Sequence, residues 1–189
     1  MNELYLAAAE IQDFCNRQKW KFCFIGGLAV VRWGRPRQTN DVDLALLTGF
    51  ERESEFVDSL LGSFASRVSE PQQFAIENRI LLLTASSGIP IDLSLAGLPF
   101  EEAMIGRATD WNCLDELHLR TASADDMIVL KAFASRPQDW FDVEQIIARQ
   151  GDSLDWELIL RDLQPLCELK DAPDIVKRLI ELRDRLNTE

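Results

Sequence analysis

Two aspartates one residue apart interrupt an otherwise apolar run, Asp41-Val42-Asp43-Leu44-Ala45-Leu46-Leu47. Side chains alternate between faces along a strand. The run therefore reads as a strand that turns Asp41 and Asp43 to one side and Val42 and Leu44 into a core. Two carboxylates held side by side repel each other unless a cation is shared between them. Upstream, Phe24-Ile25-Gly26-Gly27-Leu28 ends an apolar run on a glycine pair. Glycine admits turns that other residues resist, and it lets a ligand approach the main chain. A third aspartate has similar neighbours in Ile89-Pro90-Ile91-Asp92-Leu93. Charge among apolar residues is costly unless paired or bound to metal, so Asp41, Asp43 and Asp92 are expected to converge on one sheet edge as a metal site. Paired carboxylates beside a glycine turn that opens a helix describe a site for Mg²⁺ and a nucleotide phosphate chain.

The surrounding pattern predicts an α+β fold. Leu4, Ala7, Ala8, Ile11, Phe14 and Cys15 recur at helical spacing over residues 3–19. A strand is expected at 20–25, a helix at 27–33, a proline-broken loop at 35–38, a strand at 41–47 and a helix at 51–62. Residues 79–85 and 89–95 read as a hairpin across Ser86-Ser87-Gly88. A short helix at 101–105 and a strand at 116–120 follow. Ser123-Ala124-Asp125-Asp126 has a serine cap with an acid three residues on, and helices are expected at 124–135, 138–149, 154–163 and 173–187. The reading is a mixed sheet flanked by helices over 1–122, then a helical portion over 123–189 packed on that core.

Charge and composition narrow the chemistry. The formal net charge is −12, which opposes a protein that grips nucleic acid mainly by its phosphates. A local basic stretch, Arg32, Arg35 and Arg37, lies between the glycine and aspartate pairs. The four cysteines include no Cys-x-x-Cys and the sole histidine is His118, so a zinc site or a histidine-based triad is not expected. No apolar run approaches the roughly 20 residues needed to span a bilayer, and the N-terminus lacks the basic start of a signal peptide. A cytoplasmic protein is expected.

Gly26-Gly27, Asp41-Val42-Asp43 and Asp92 together resemble the signature of the nucleotidyltransferase superfamily with the DNA polymerase β type of catalytic domain. Arg37-Gln38-Thr39-Asn40-Asp41 is similar to the Arg-x-Thr-x-Asp run of many bacterial members. The resemblance implies that Asp41, Asp43 and Asp92 hold Mg²⁺ and that Asp92 acts as, or beside, the general base. It also implies that Gly26, Gly27, Arg37 and Thr39 contact the nucleotide. Lys131, then Arg136, Asp139 and Asp142, resembles the Lys, Arg-x-x-Asp-x-x-Asp pattern of the AbiE-type toxin branch of bacterial toxin–antitoxin and phage-defence systems. That similarity implies that Lys131 neutralises the triphosphate and that Asp142 sits at the nucleotide end of a cleft. On residue type alone, Lys131 is a surface lysine and Asp139 with Asp142 an exposed acidic face. This chain departs from many relatives at Pro137-Gln138, where they carry a lysine beside the first aspartate.

The expected activity is transfer of a nucleoside monophosphate from a nucleoside triphosphate to a hydroxyl on tRNA, protein or a small molecule, with a cognate antitoxin as a possible partner. Two alternatives stand beside it. One is a catalytically idle nucleotide-binding module; the other is an antibiotic nucleotidyltransferase.

Overall fold

The computed structural model describes residues 2–36, 38–114 and 116–186. By internal contacts the chain forms two compact units, residues 1–28 with 38–122, and residues 29–37 with 123–189. Among the described residues no helix is long and apolar enough to cross a membrane.

The first unit runs α1 (Asn2–Arg17), β1 (Phe22–Phe24), the opening of α2 (Gly26–Trp33), β2 (Val42–Leu47), α3 (Glu53–Leu61), β3 (Ala65–Ser66) and α4 (Pro71–Asn78). It continues through β4 (Ile80–Thr84), β5 (Pro90–Ala96), α5 (Pro99–Arg107), β6 (Thr109–Leu114) and β7 (Leu117–Thr121). The strands form one sheet in the order β3-β4-β5-β2-β1-β7-β6. The sheet is mixed: β2 pairs parallel to β5 and β1 parallel to β7, and the other neighbours are antiparallel. The expected α+β architecture and the 79–95 hairpin are both present.

Alternation explains where the core sits. Along β5, Ile91, Leu93 and Leu95 are buried while Asp92 and Ser94 are half-buried. The inward residues join Leu44, Leu46, Leu81 and Leu83 in a core with the apolar stripe of α1, Leu4, Ala8, Ile11 and Cys15. Each fully buried leucine or isoleucine contributes on the order of 1.5–3 kcal/mol relative to exposure, so this layer fixes the register of β2 against β5.

Three elements of this unit have no counterpart in the sequence reading. Strand β3 is two residues long, and α4 buries only Ala75 fully, so neither shows an apolar period. Strand β6 lies at the sheet edge and buries none of its residues.

The second unit holds the end of α2 from Ala29, then α6 (Ala124–Ala134), α7 (Pro137–Gln150), a 3₁₀ turn at Gly151–Ser153, α8 (Trp156–Leu169) and α9 (Asp174–Leu186). Ser123 Oγ accepts the Asp126 N–H at 3.1 Å, the cap anticipated from the sequence. Helix α8 continues past the expected end at 163. Pro165 removes one hydrogen bond, but Leu166 and Cys167 beyond it are buried, and their burial offsets that loss.

Candidate active site

The parallel register of β2 and β5 builds the site. Val42 pairs with Ile91, Asp43 with Asp92 and Leu44 with Leu93. The flanking apolar pairs are fully buried, so pleating turns Asp43 and Asp92 together to the opposite face. Asp41 stands two residues before Asp43 and shares its side. Carboxylate oxygens of Asp41, Asp43 and Asp92 lie within 4.8 Å of one another, and each residue is half-buried. Among the described residues no other group of three acidic, histidine or cysteine side chains comes this close. Hard oxygen donors, partly open to solvent, fit a divalent cation such as Mg²⁺, which keeps several of its waters.

The glycine pair is explained by the same carboxylates. Ile25 N–H donates to the Asp43 carbonyl at 3.0 Å, which delivers the chain from β1 to Gly26. Gly26 has φ +57°, the left-handed region. A β-carbon there would stand 2.6 Å from the Asp43 Cβ and closer still to its carboxylate. A β-carbon on Gly27 would stand 2.7 Å from the Thr39 Cβ. Only glycine lets the first turn of α2 abut these two side chains. Gly27 N–H donates to Asp43 Oδ2 at 3.3 Å, and Thr39 Oγ donates to Asp41 Oδ1 at 3.1 Å. Gly26, Gly27 and Thr39 are thus brought together with the acidic residues. Arg37 lies outside the described residues.

Arg67, which the sequence reading passed over, joins this group. It follows β3 and forms a salt bridge through Nη2 with Asp92 Oδ1. Its Nε donates to the Leu83 carbonyl at 3.0 Å, and Nη2 also reaches the Ile91 carbonyl at 3.4 Å.

Lys131, Asp139 and Asp142 cluster within the second unit. Lys131 Nζ lies 2.9 Å from Asp139 Oδ1 and 3.0 Å from Asp142 Oδ2. Asp139 also accepts from Arg136 Nε at 2.6 Å and from the Arg136 N–H at 3.2 Å. Both aspartate side chains are 1% exposed, so they do not form the exposed acidic face that residue type alone suggested. Burial by itself raises the Asp139 carboxyl, but hydrogen bonds from Arg136 and Lys131 outweigh it and hold the group below its ordinary value.

The remaining candidates stay outside this chemistry. His118 is exposed on β7. Cys15, Cys23 and Cys167 are buried, and burial pushes the Cys15 thiol up to about 12, far from a thiolate at neutral pH. Arg32 stacks over the Trp33 ring at 4.0 Å.

An antigenic nucleotidyltransferase-like protein from Paracoccidioides brasiliensis is similar in structure, with a TM-score of 0.60 and 15% identity over 95% of this chain and 93% of that one. The antibiotic-resistance factor ANT(2'')-Ia gives 0.51 and 15% over 99% and 92%. The lincosamide antibiotic adenylyltransferase LnuA, in its lincomycin-bound form, gives 0.51 and 13% over 74% and 94%. These likenesses establish the nucleotidyltransferase fold. No curated protein sequence matches the chain. Residues 15–188 match the family model described as nucleotidyl transferase AbiEii toxin, type IV TA system. With nearly the whole chain inside that match, the protein belongs to the AbiEii nucleotidyltransferase toxin family.

Proposed function

We propose that this enzyme transfers a nucleoside monophosphate from a nucleoside triphosphate to a hydroxyl of tRNA or protein. It would do so in the cytoplasm, with Mg²⁺, as the toxin of a pair with a cognate antitoxin protein. The observation that carries the reading is the convergence of Asp41, Asp43 and Asp92 beside the Gly26-Gly27 turn. These three carboxylates would hold Mg²⁺, which when bound supplies positive charge for the phosphates and acidifies the acceptor hydroxyl. The chain's own groups do the rest. The N–H groups opening α2, apart from that of Gly27, which donates to Asp43, would bind the phosphates. Asp92 accepts the acceptor's proton as the acceptor oxygen bonds to the α-phosphorus and pyrophosphate departs. Thr39 keeps Asp41 oriented through its hydroxyl. Lys131 neutralises triphosphate charge, and the buried Asp142 acts through Lys131, whose ammonium it helps to fix. Arg37 adds positive charge by the family resemblance.

A net charge of −12 favours a second reading, in which the acceptor is a cationic small molecule such as an amino sugar antibiotic. The test begins with α-labelled triphosphates and total cellular RNA or protein. Label should pass to one acceptor class and be lost in Asp41→Ala and Asp43→Ala. Transfer that survives both substitutions refutes the mechanism. Mass spectrometry of RNA and protein after expression identifies the acceptor, and a resistance phenotype without growth arrest supports the second reading.

A further inference from the structure

We infer that Arg67 is a positioning residue for Asp92, clamped on main-chain carbonyls so that its guanidinium fixes that carboxylate and sets the charge the acidic triad presents to a divalent cation. The inference rests on the metal reading above. Arg67 is built into the sheet rather than carried on a loop tip. Its own N–H donates to the Leu82 carbonyl at 3.0 Å, its Nε to Leu83 and its Nη2 to Ile91. The guanidinium therefore bridges β4 and β5 before it reaches Asp92 Oδ1. A planar fork can meet two carbonyls and a carboxylate at once, which the ammonium of a lysine does poorly.

Two consequences follow. With one oxygen taken by Arg67, Asp92 offers its other oxygen, Oδ2, to metal or proton. The Asp92 side chain, 30% exposed, is thereby held in one rotamer before any ligand arrives. The second consequence is electrostatic. Counted formally, three aspartates and one arginine carry two net negative charges, the charge that one divalent cation cancels. Removing the arginine should strengthen the attraction for a cation while loosening the carboxylate that must be aimed. Affinity and turnover should then move in opposite directions, which a merely structural arginine would not produce.

The experiment uses the full chain, Mn²⁺ as the probe and calorimetric or spin-resonance titration as the readout. Transfer kinetics and thermal melts run alongside. Arg67→Gln should bind Mn²⁺ about three- to tenfold tighter, the change expected for losing one positive charge near a divalent ion in screened solvent. Its kcat should fall about ten- to a hundredfold at little-changed KM, the cost of a misaimed group. Arg67→Lys should keep wild-type Mn²⁺ affinity and recover part of kcat. An Arg67→Gln protein with unchanged or weaker Mn²⁺ binding, or with unchanged kcat, overturns the inference. If Arg67→Gln does not fold, Arg67→Lys decides alone: wild-type kcat, or shifted Mn²⁺ affinity, overturns it. Wild-type protein that binds no Mn²⁺, or binds it equally after Asp41→Asn, overturns the metal reading as well. Binding lost in Asp41→Asn but unshifted in Arg67→Gln overturns the Arg67 inference alone.

Discussion

Gly26→Ala is the sharpest perturbation of the site, because two separate costs can be worked from the geometry. The residue has φ +57°, where an L side chain costs about 1–2 kcal/mol. The new β-carbon would also stand 2.6 Å from the Asp43 Cβ, whereas carbon atoms rest at about 3.5–4.0 Å. Asp43 or the opening of α2 must therefore move by about 1 Å. A displacement of that size at a reacting group costs about a hundredfold in rate. Gly49→Ala separates the two effects. Gly49 has φ +71°, yet a β-carbon there meets nothing within 4 Å, so it imposes strain without displacement. Both variants should lose about 2–8 °C in melting temperature, the shift expected for 1–2 kcal/mol in a chain of this size. Only Gly26→Ala should lose about a hundredfold in kcat/KM. In Gly26→Ala/Asp43→Asn the two losses should combine to less than their product, because both act on one carboxylate. The assays are steady-state transfer from labelled triphosphate and thermal melts. Gly26→Ala with kcat/KM within about threefold of wild type, or Gly49→Ala equally crippled, would refute the reasoning.

Three further outcomes are expected. Asp43→Asn relieves repulsion from two carboxylates within 4.8 Å, so in chelator it should raise stability by about 1 kcal/mol, or about 2–4 °C, while abolishing the melting shift that Mn²⁺ gives the wild type. A Mn²⁺ shift that persists in the variant would count against the site. Lys131→Met removes the cation shared by two carboxylates that are each 1% exposed, leaving Asp139 with Arg136 alone, and urea unfolding should show a loss of about 3–5 kcal/mol. A loss below about 1 kcal/mol would mean that the ion pairs are not maintained in solution. Asp139 is held below its ordinary value of 3.8, so its contribution to stability is fully present above that value and is lost as pH falls through the lower folded-state value. Between pH 5 and pH 3 the urea midpoint of the wild type should therefore drop further than that of Asp139→Asn. Equal drops would show that Asp139 is not responsible.

What could be read from the sequence followed from periodicity. Asp41, Asp43 and Asp92 each interrupt an apolar alternation, and the alternation fixed both their face and the burial of Val42, Leu44, Ile91 and Leu93. The caps were equally plain: Ser123 is a local signal that needs no tertiary partner. Arg67 was invisible because nothing in its neighbourhood repeats. It reaches Asp92 only because β3 pairs with β4 and β4 with β5, a relation between residues 25 apart in sequence. Helix α4 and strand β6 escaped for a related reason, since neither turns a row of side chains into a core. Lys131, Asp139 and Asp142 were found by motif, but residue type suggested exposure. Only the packing of α6 and α7 buries them.

The Asp139–Asp142 cluster and the Asp41–Asp43–Asp92 cluster differ in physical character, and the contrast supports the second as the proposed cation site. Asp139 and Asp142 are sealed from solvent and answered at close range by Lys131 and Arg136, so their charge is spent within the protein. A buried network of this kind holds helices in place, and removing a member weakens the charge balance of those that remain. Asp41, Asp43 and Asp92 are half-buried and crowd their oxygens within 4.8 Å. Their arrangement is enforced from outside themselves: by the β2–β5 register, by glycines that admit the start of α2, by the Thr39 hydroxyl and by the Arg67 clamp. Features that hold like charges together, in a place water can reach, work against folding stability beyond what Arg67 offsets, and a ligand of opposite charge would repay that cost. Under the proposed function the first unit would carry the acid–base and metal-holding groups, whereas the charge cluster of the second holds Lys131 between Asp139 and Asp142.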